Sequence, residues 1–281
     1  MATITLTNFL TKINNHLGDN LSSTTTAQGN AGKTTFIDSA MSKYNDDYFA
    51  SGNNNQEWWV YLASQLKAIK SFTSSSGTFE VYSAFSAQVA ASTAYSLHRF
   101  NRDDKIIACN QALYECYPDF YKDLEDATTL DGTGSSDNKY TVPATFTEFP
   151  DQIWSIDDDT TDIVRTQITD YQMEKIGGSW YFYADITTGE DILLVGKTYL
   201  TQFTPGTDSS TTELDNSQAE VVSLLAASIF YRTLSGKVNT ENSERFDALS
   251  NRYLEMYRRQ AVIKAMPRRF GLKQDFAWTN E

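Results

Sequence analysis

The chain has 281 residues, and 36 acidic against 23 basic residues give it a formal net charge of -13 at pH 7. Its length is sufficient to bury roughly three quarters of the unfolded surface, as one large domain or two small ones. So acidic a protein is not expected to coat itself with nucleic acid, because phosphate binding requires many Lys and Arg side chains. The sequence has no apolar run near the roughly 18 to 20 residues of a membrane span, and residues 1–10 do not resemble a signal peptide. We therefore expect a folded protein that is soluble in the cytoplasm where it is made and has no membrane partner.

The N-terminal part of the chain is predicted to combine helices with a small sheet. Apolar spacing over Thr3–Leu17 indicates a short helix, and the residues that follow it up to residue 33 are a polar linker. A capping-box-like pair predicts a second helix over Thr35–Phe49. From Glu57 to His98, aromatic runs separated by Ser and Gly favour a small antiparallel sheet. Residues 57–72 also fit helical spacing, so helix and strand both stay open there.

The middle of the chain is predicted to hold one long helix and a second β region. Arg102–Asp126 is the clearest helix, because apolar side chains recur on one of its faces. After it, four runs rich in Trp, Tyr, Phe and Val are typical of strands, with Gly177-Gly178 as one of the turns between them. These runs are Lys139–Phe146, Gln152–Ile156, Ser179–Ile186 and Asp191–Phe203.

The last third, Asn216 to Met266, is predicted to form two antiparallel helices joined by a short connection. The first has so broad an apolar surface that we expect neighbouring elements to enclose it. The sequence therefore predicts an α+β protein with a helical bundle core, two antiparallel β insertions and extended termini. Its parts are an N-terminal helix and polar linker (1–33), a helix with a small β region (34–100), a core (101–266) with helices at 102–126, 217–235 and 242–266 around a β insertion at 139–206, and a basic tail (267–281).

Residues of the types that carry catalysis or bind metals are few and scattered. His16 and His98 are the only histidines, and neither has a Cys or carboxylate at ligand spacing, so no metal site is predicted. Cys109 and Cys116 lie about 10.5 Å apart along one predicted helix, too far for a disulfide. We expect both to be buried as small apolar residues. No catalytic residues and no cofactor are predicted, and an enzyme is the minority interpretation.

One motif is close to a phosphate-binding loop. Residues 27–34, Ala-Gln-Gly-Asn-Ala-Gly-Lys-Thr, differ by one residue from the G-x-x-x-x-G-K-[ST] pattern, in which Lys33 would contact phosphate. That loop must leave a buried strand and begin a helix so that its amides converge on the phosphates. Polar residues precede it here, so the sequence context argues against nucleotide binding.

Charge is separated along the chain. Residues 119–162 contain twelve carboxylates and only two lysines, whereas residues 252–273 contain seven basic residues and one glutamate. The basic segment is interpreted as a docking element for an acidic protein surface or as a local contact to DNA. For Arg258 and Arg259, an ordinary solvated helix end is an equally good interpretation, because the helix dipole favours cations there.

The order of these segments resembles the head-to-tail adaptor (connector or neck) proteins of tailed bacteriophages, over about residues 35–266. The core of the resemblance is Asp103–Pro118, Tyr140–Ala144, Leu193–Phe203 and Glu213-Leu214 opening the helix pair. Phe36–Tyr48, Trp58-Trp59-Val60 and Tyr95–His98 are similar to what precedes that core in larger members of the family.

The resemblance implies a virion structural protein that forms a homo-oligomeric ring, typically dodecameric, beneath the portal protein. Such a ring joins the DNA-filled capsid to a downstream neck or tail protein, and DNA passes through it without sequence-specific binding. An alternative is another phage neck protein, such as a tail-completion or stopper ring. A less favoured alternative is a phage nucleotide hydrolase that uses Lys33.

Within this interpretation, three groups of residues are assigned roles as hypotheses. A portal-docking group combines basic and aromatic side chains: Arg258, Arg259, Arg268, Arg269, Phe270, Lys273, Phe276 and Trp278. A subunit-interface group lies on the two C-terminal helices: Leu225, Phe230, Phe246 and Tyr253. An acidic group that would face the DNA channel consists of Asp157, Asp158 and Asp159.

Overall fold

The structure is a computed structural model that describes residues 3–19, 21–50, 57–132, 139–157, 164–237 and 240–265. The chain divides into two compact units. Unit 1 is built from residues 1–115 and 202–264, and unit 2 is built around residues 116–201.

The described residues contain fifteen β-strands and four α-helices. The helices are α1 (Leu6–Leu17), α2 (Arg102–Glu115), α3 (Asn216–Ser235) and α4 (Thr240–Lys264). The strands of unit 1 are β1 (Ile4–Thr5), β2 (Leu21–Thr24), β3 (Thr35–Ile37), β4 (Trp59–Leu62), β5 (Gln65–Thr73), β6 (Thr78–Val81), β7 (Ala94–His98) and β15 (Thr211–Thr212). Those of unit 2 are β8 (Lys122–Asp131), β9 (Lys139–Thr141), β10 (Gln152–Asp157), β11 (Val164–Gln167), β12 (Gln172–Ile176), β13 (Ser179–Tyr183) and β14 (Asp191–Thr198).

Unit 1 has a two-stranded sheet of β1 and β15 and a larger sheet that bends so that one backbone bridge links its two ends. Six antiparallel strands lie in the order β2-β7-β4-β5-β6-β3, and a backbone bridge between Ala27 and Ile37 joins the chain after β2 to β3. Alternate residues such as Val60, Phe72 and Phe79 point inward and form an aromatic core. The result is a small barrel-like body, which we call the barrel.

The helices of unit 1 are organised around α3. An Asp215 and Gln218 capping box begins α3, and α1, α2 and α4 all pack against it. Phe100, just before α2, meets the ring of Phe230 with centroids 5.2 Å apart. Because α3 is enclosed by other helices, nearly all of its middle residues are buried.

Unit 2 contains two further antiparallel sheets, ordered β11-β10-β14-β8 and β12-β13-β9. Along β14, Ile192 and Leu194 belong to the main core of the unit, whereas Leu193 and Val195 pack on the opposite face with Ile156. Gly177 and Gly178 make the turn between β12 and β13 with φ of 58° and 93°. Glycine suits both positions because they require left-handed backbone.

The predicted helical bundle core is wrong. The described residues form four antiparallel sheets and only four α-helices, with one short 3-10 helix. The helix predicted over Thr35–Phe49 is instead β3 followed by the 3-10 helix Ser39–Lys43, since Phe36 has to enter the barrel core. Part of the predicted polar linker is strand β2, and the strand alternative holds for residues 57–72.

The helix predicted over Arg102–Asp126 is also too long. It ends at Glu115, shortly before Pro118, and the residue that precedes a proline disfavours helical backbone. Residues 122–131 then form β8, so the second β region begins before the predicted residue 139. The predictions of α1, of α3 and α4, and of strands within the four middle runs are confirmed.

Candidate interaction surfaces and a buried polar site

The end of α4 presents apolar and basic side chains together. Val262 and Ile263 are 85% and 77% exposed, and Arg258 and Arg259, one turn earlier, are also exposed. Arg259 lies 3.7 Å from Glu255 on the same helix. We call Arg258, Arg259, Val262 and Ile263 the α4 patch. Large aliphatic side chains so open to solvent, next to unburied cations, are typical of a contact surface.

A second exposed stripe runs along α2. Ile107 is 64% exposed and Tyr114 is 52% exposed, and Asp103 and Gln111 are exposed on the same face. We call these four residues the α2 patch. Sequence reasoning did not assign it. The adjacent Ile106 and Ile107 were a usable signal, because successive helix positions point in directions about 100° apart and a long apolar pair can leave one member outside the buried face.

The predicted subunit-interface residues belong mostly to the interior of unit 1. Leu225 and Phe230 are only 4% and 2% exposed, so neither offers a surface to a neighbour, and that assignment is wrong for both. Phe246 and Tyr253 are half-buried, and each stacks on Tyr231 with ring centroids 5.8 Å apart. These aromatic contacts hold α4 against α3 and leave only the outer parts of the two rings accessible.

The other predicted site residues are only partly within the described residues. Asp157 is the last residue of β10, is half-buried and pairs with Val164 of β11. Asp158 and Asp159 lie outside the described residues, and so does the whole tail group: Arg268, Arg269, Phe270, Lys273, Phe276 and Trp278. Their channel-facing and portal-docking roles stay predictions.

A buried charged cluster joins the barrel to the helices within unit 1. Lys105 of α2 is 1% exposed, and its Nζ donates to the carboxylate of Asp19 and to the amide oxygen of Asn14, both at 2.7 Å. His98, at the end of β7, lies beside both charged groups, with Nδ1 at 3.3 Å from Lys105 Nζ. The backbone N–H of Arg99 completes the set by donating to Asp19 at 2.6 Å.

The cluster shifts the pKa values of both its charged members. Burial opposes ionisation of Asp19, but contacts with His98, Lys105 and the Arg99 N–H outweigh it and lower the pKa of that carboxyl. Burial lowers the pKa of the Lys105 ammonium, against the opposing attraction of Asp19. The cluster was not predicted, because nothing in the local pattern around Asp19 indicates that it meets a residue 86 positions away.

A polar cavity of about 190 Å³ lies beside this cluster. Arg102 forms part of its wall, pairing with Asp208 and stacking 4.3 Å from the centroid of the Tyr61 ring. Tyr61 donates its hydroxyl hydrogen to the same carboxylate. The charged groups of the wall thus have partners within the protein, and the arrangement fixes the position of α2 against the barrel.

The loop with the phosphate-binding pattern does not have the required geometry. Lys33 lies in left-handed backbone with φ of 61°, and its Nζ donates to the carbonyl oxygen of Ser86 at 2.9 Å. The N–H groups of Thr34 and Thr35 donate to the side chain of Asn30. Those amides are directed inward to a side chain of the loop, and a strand, not a helix, follows it.

Other reactive side chains are enclosed. Burial raises the pKa of the thiols of Cys109 and Cys116 well above their usual value, as expected for cysteines that act as small apolar residues. His16 hydrogen-bonds Ser223 at 3.0 Å. Over the described ranges, no group of three His, Cys, Asp or Glu side chains is arranged to hold a metal ion.

The chain matches no protein-family model, and the search of curated proteins finds no match either. Among the residues that the structure covers, no helix has the length and apolar character needed to cross a membrane.

Proposed function

We propose that the chain is a virion structural protein, a head-to-tail adaptor that forms a ring under the portal and joins the DNA-filled capsid to the tail. The observation that carries the proposal is the end of the chain, where the α4 patch leads into a basic and aromatic tail sequence. The patch places exposed aliphatic and basic side chains at the end of a long helix, directly before a tail sequence that contains Arg268, Arg269, Phe270 and Trp278.

The composition of this region suits attachment to another protein. Aromatic side chains and arginines are enriched among the residues that dominate binding energy at interfaces. A portal surface with carboxylates around apolar pockets would match the tail, with the rings in the pockets and the arginines on the carboxylates. In this proposal Arg268, Arg269, Phe270, Lys273, Phe276 and Trp278 dock on the portal.

The acidic remainder of the chain suits a conduit for DNA. With a net charge of -13, a ring of many copies repels phosphates and does not retain the genome by counterion release. In the proposal, Asp157, Asp158 and Asp159 of each copy face the channel. DNA passes them without sequence-specific contacts, and a downstream neck or tail protein binds the side of the ring away from the portal.

Deleting residues 268–281 tests the proposal. Because α3 and α4 are buried against each other before this segment begins, the truncated chain should keep its fold, as circular dichroism can verify. We expect binding to the cognate portal to be lost and DNA-filled heads to leak or to remain without tails. A Lys67→Glu and Lys70→Glu variant on the barrel lowers the net charge by four units, against one unit for the deletion. It should still bind normally, which would exclude net charge as the cause of the loss.

Two results would argue against this function. Truncated protein that binds portals with undiminished affinity and gives infectious particles would remove the docking role of the tail. Full-length protein that binds a tail component but not the portal would instead support a tail-completion or stopper ring.

A further inference from the structure

The α2 and α4 patches both lie on helices that pack against α3. Each patch combines two exposed apolar side chains with charge, but the charges differ in sign. The α4 patch contains two arginines, and the nearby Glu255 is the carboxylate that one of them approaches. The α2 patch has Asp103 within it, and Asp104 and Glu115 flank it.

The cations next to the α2 patch do not make its net charge positive. Lys237 lies 3.4 Å from Asp104, and Arg232 lies 3.5 Å from Glu115. Both pairs are well exposed to solvent. Asp103 is a third carboxylate beside these two ion pairs, so the surface around Ile107 and Tyr114 carries a net negative charge.

We propose that the α4 patch of one copy of this chain docks on the α2 patch of the next copy, and this inference rests on the ring assembly proposed above. Val262 and Ile263 pack on Ile107 and Tyr114, and the arginines face the carboxylates. Arg258 and Arg259 thereby act between subunits and not on the portal, which is left to the residues after Pro267.

Charge decides between this arrangement and pairing of identical patches. Two α4 patches in contact would place arginines against arginines, and two α2 patches would place carboxylates against carboxylates. A contact between unlike patches avoids both repulsions. Contacts of this head-to-tail kind repeat around a ring when the rotation closes, whereas contacts between identical patches stop at a dimer.

Cysteine crosslinking tests the contact itself. An Ile107→Cys and Val262→Cys double variant should give a covalent ladder on mild oxidation, both in free solution and when bound to the portal. A mixture of the two single variants should give mainly mixed dimers. The native cysteines are buried, so wild-type protein should not crosslink. A Tyr82→Cys and Val262→Cys variant, with an equally exposed position on the barrel, should give no ladder.

Charge reversal provides an independent test. Arg258→Glu with Arg259→Glu should weaken self-association by about tenfold or more, as measured by sedimentation. Adding Asp103→Arg and Glu115→Arg to the same chain should restore most of it. The Lys67→Glu and Lys70→Glu variant makes the same change in net charge elsewhere and should assemble normally.

The outcomes separate this inference from the proposed function. If the reversed chain assembles normally but no longer binds portals, the α4 patch belongs to the portal contact, and only the inference is wrong. Crosslinks between two Val262→Cys chains also overturn the inference. So does an Arg258→Glu and Arg259→Glu chain that assembles and binds portals as wild type does. If wild-type protein neither self-associates nor binds portals, the proposed function fails as well.

Discussion

Lys105 and Asp19 form a buried ion pair in unit 1. Two opposite charges removed from water gain little net stability from each other, because the loss of hydration offsets their attraction. Their contacts do determine how α2 sits on the barrel, since the ammonium bonds at once to Asp19 and to Asn14 of α1. The cluster therefore positions α2 on the barrel, and removing one of its charged members is expected to lower the stability of unit 1.

We expect Lys105→Met to destabilise unit 1 by about 3 to 5 kcal/mol, because it leaves the Asp19 carboxylate buried without its cation. Urea unfolding followed by fluorescence would measure the change. Lys70→Met is the matched control: Lys70 and Glu80 form an ion pair at 2.8 Å in which both side chains are well exposed, and its loss should change stability little. Equal effects of the two substitutions would contradict the burial argument.

The lowered pKa of Asp19 predicts a particular dependence on pH. Its ionised form contributes stability above its ordinary value of 3.8, and that contribution is lost as the pH falls through the lower folded-state value. The stability difference between wild type and Asp19→Asn should therefore be fully present at neutral pH and shrink as the pH falls below 3.8 and through the lower folded-state pKa. A difference that stays constant across this range would show that the charge of Asp19 has no stabilising role.

At the scale of elements, α3 connects the other helices of unit 1. Its length, capping and enclosure could be predicted from sequence, because Asp215 and Gln218 form a recognisable capping box and apolar residues surround the whole helix. Which face meets which partner could not be predicted. Leu225 and Phe230 fit an interface between subunits as well as a core, and only the tertiary packing of α1, α2 and α4 distinguishes the two.

Phe230→Ala should cost about 3 to 5 kcal/mol, because Phe230 is 2% exposed and contacts Phe100 and Tyr231. The comparison substitution is Ile107→Ala on the exposed face of α2, which should change monomer stability by less than about 0.5 kcal/mol. Thermal unfolding of the two variants under identical conditions measures both. A similar loss for Ile107→Ala would mean that the α2 patch is covered within the monomer.

Gly18 and Gly77 allow a backbone strain to be separated from a steric clash. Both have nearly the same left-handed φ, 62° and 63°. A Cβ added at Gly18 meets nothing within 4 Å, whereas at Gly77 it would lie 2.1 Å from the carbonyl oxygen of Asp38. Gly18→Ala should therefore cost about 1 kcal/mol for the left-handed backbone alone.

Gly77→Ala should cost clearly more than Gly18→Ala, because the turn between β5 and β6 has to move away from Asp38. That movement also disturbs the hydrogen bonds that Asp38 accepts from Ser23 and Tyr95. Denaturant midpoints of the two variants give the comparison directly. If both glycine variants lost the same stability, the close approach to Asp38 would be of no consequence.

The barrel shows why the proportion of strand was underestimated. Residues 35–49 have a capping-box-like pair that indicates a helix, yet Phe36 pairs with Phe79 across β3 and β6. Edge closure between Ala27 and Ile37 is a long-range contact that no local pattern contains. By contrast, Gly177-Gly178 was predicted as a turn correctly, because its backbone requirement is local.

At the scale of the whole molecule, charge distribution can be read from the sequence, whereas the exposure of apolar side chains depends on the packing of the helices. The separation of acidic and basic charge was visible in the sequence and supports the proposal of an attachment protein. The exposed pairs Ile107 with Tyr114 and Val262 with Ile263 required the structure, since their exposure depends on which helix faces α3 encloses. These exposed pairs and the charges beside them predict an assembly in which the α4 patch of one copy contacts the α2 patch of the next.

The adaptor function is tested most directly by the mass of the complex that the purified chain forms with its cognate portal, measured by native mass spectrometry. We expect a closed assembly with one copy of this chain for each portal subunit, and we expect it to be lost when residues 268–281 are deleted. A portal whose mass is unchanged after mixing with excess full-length chain would contradict it.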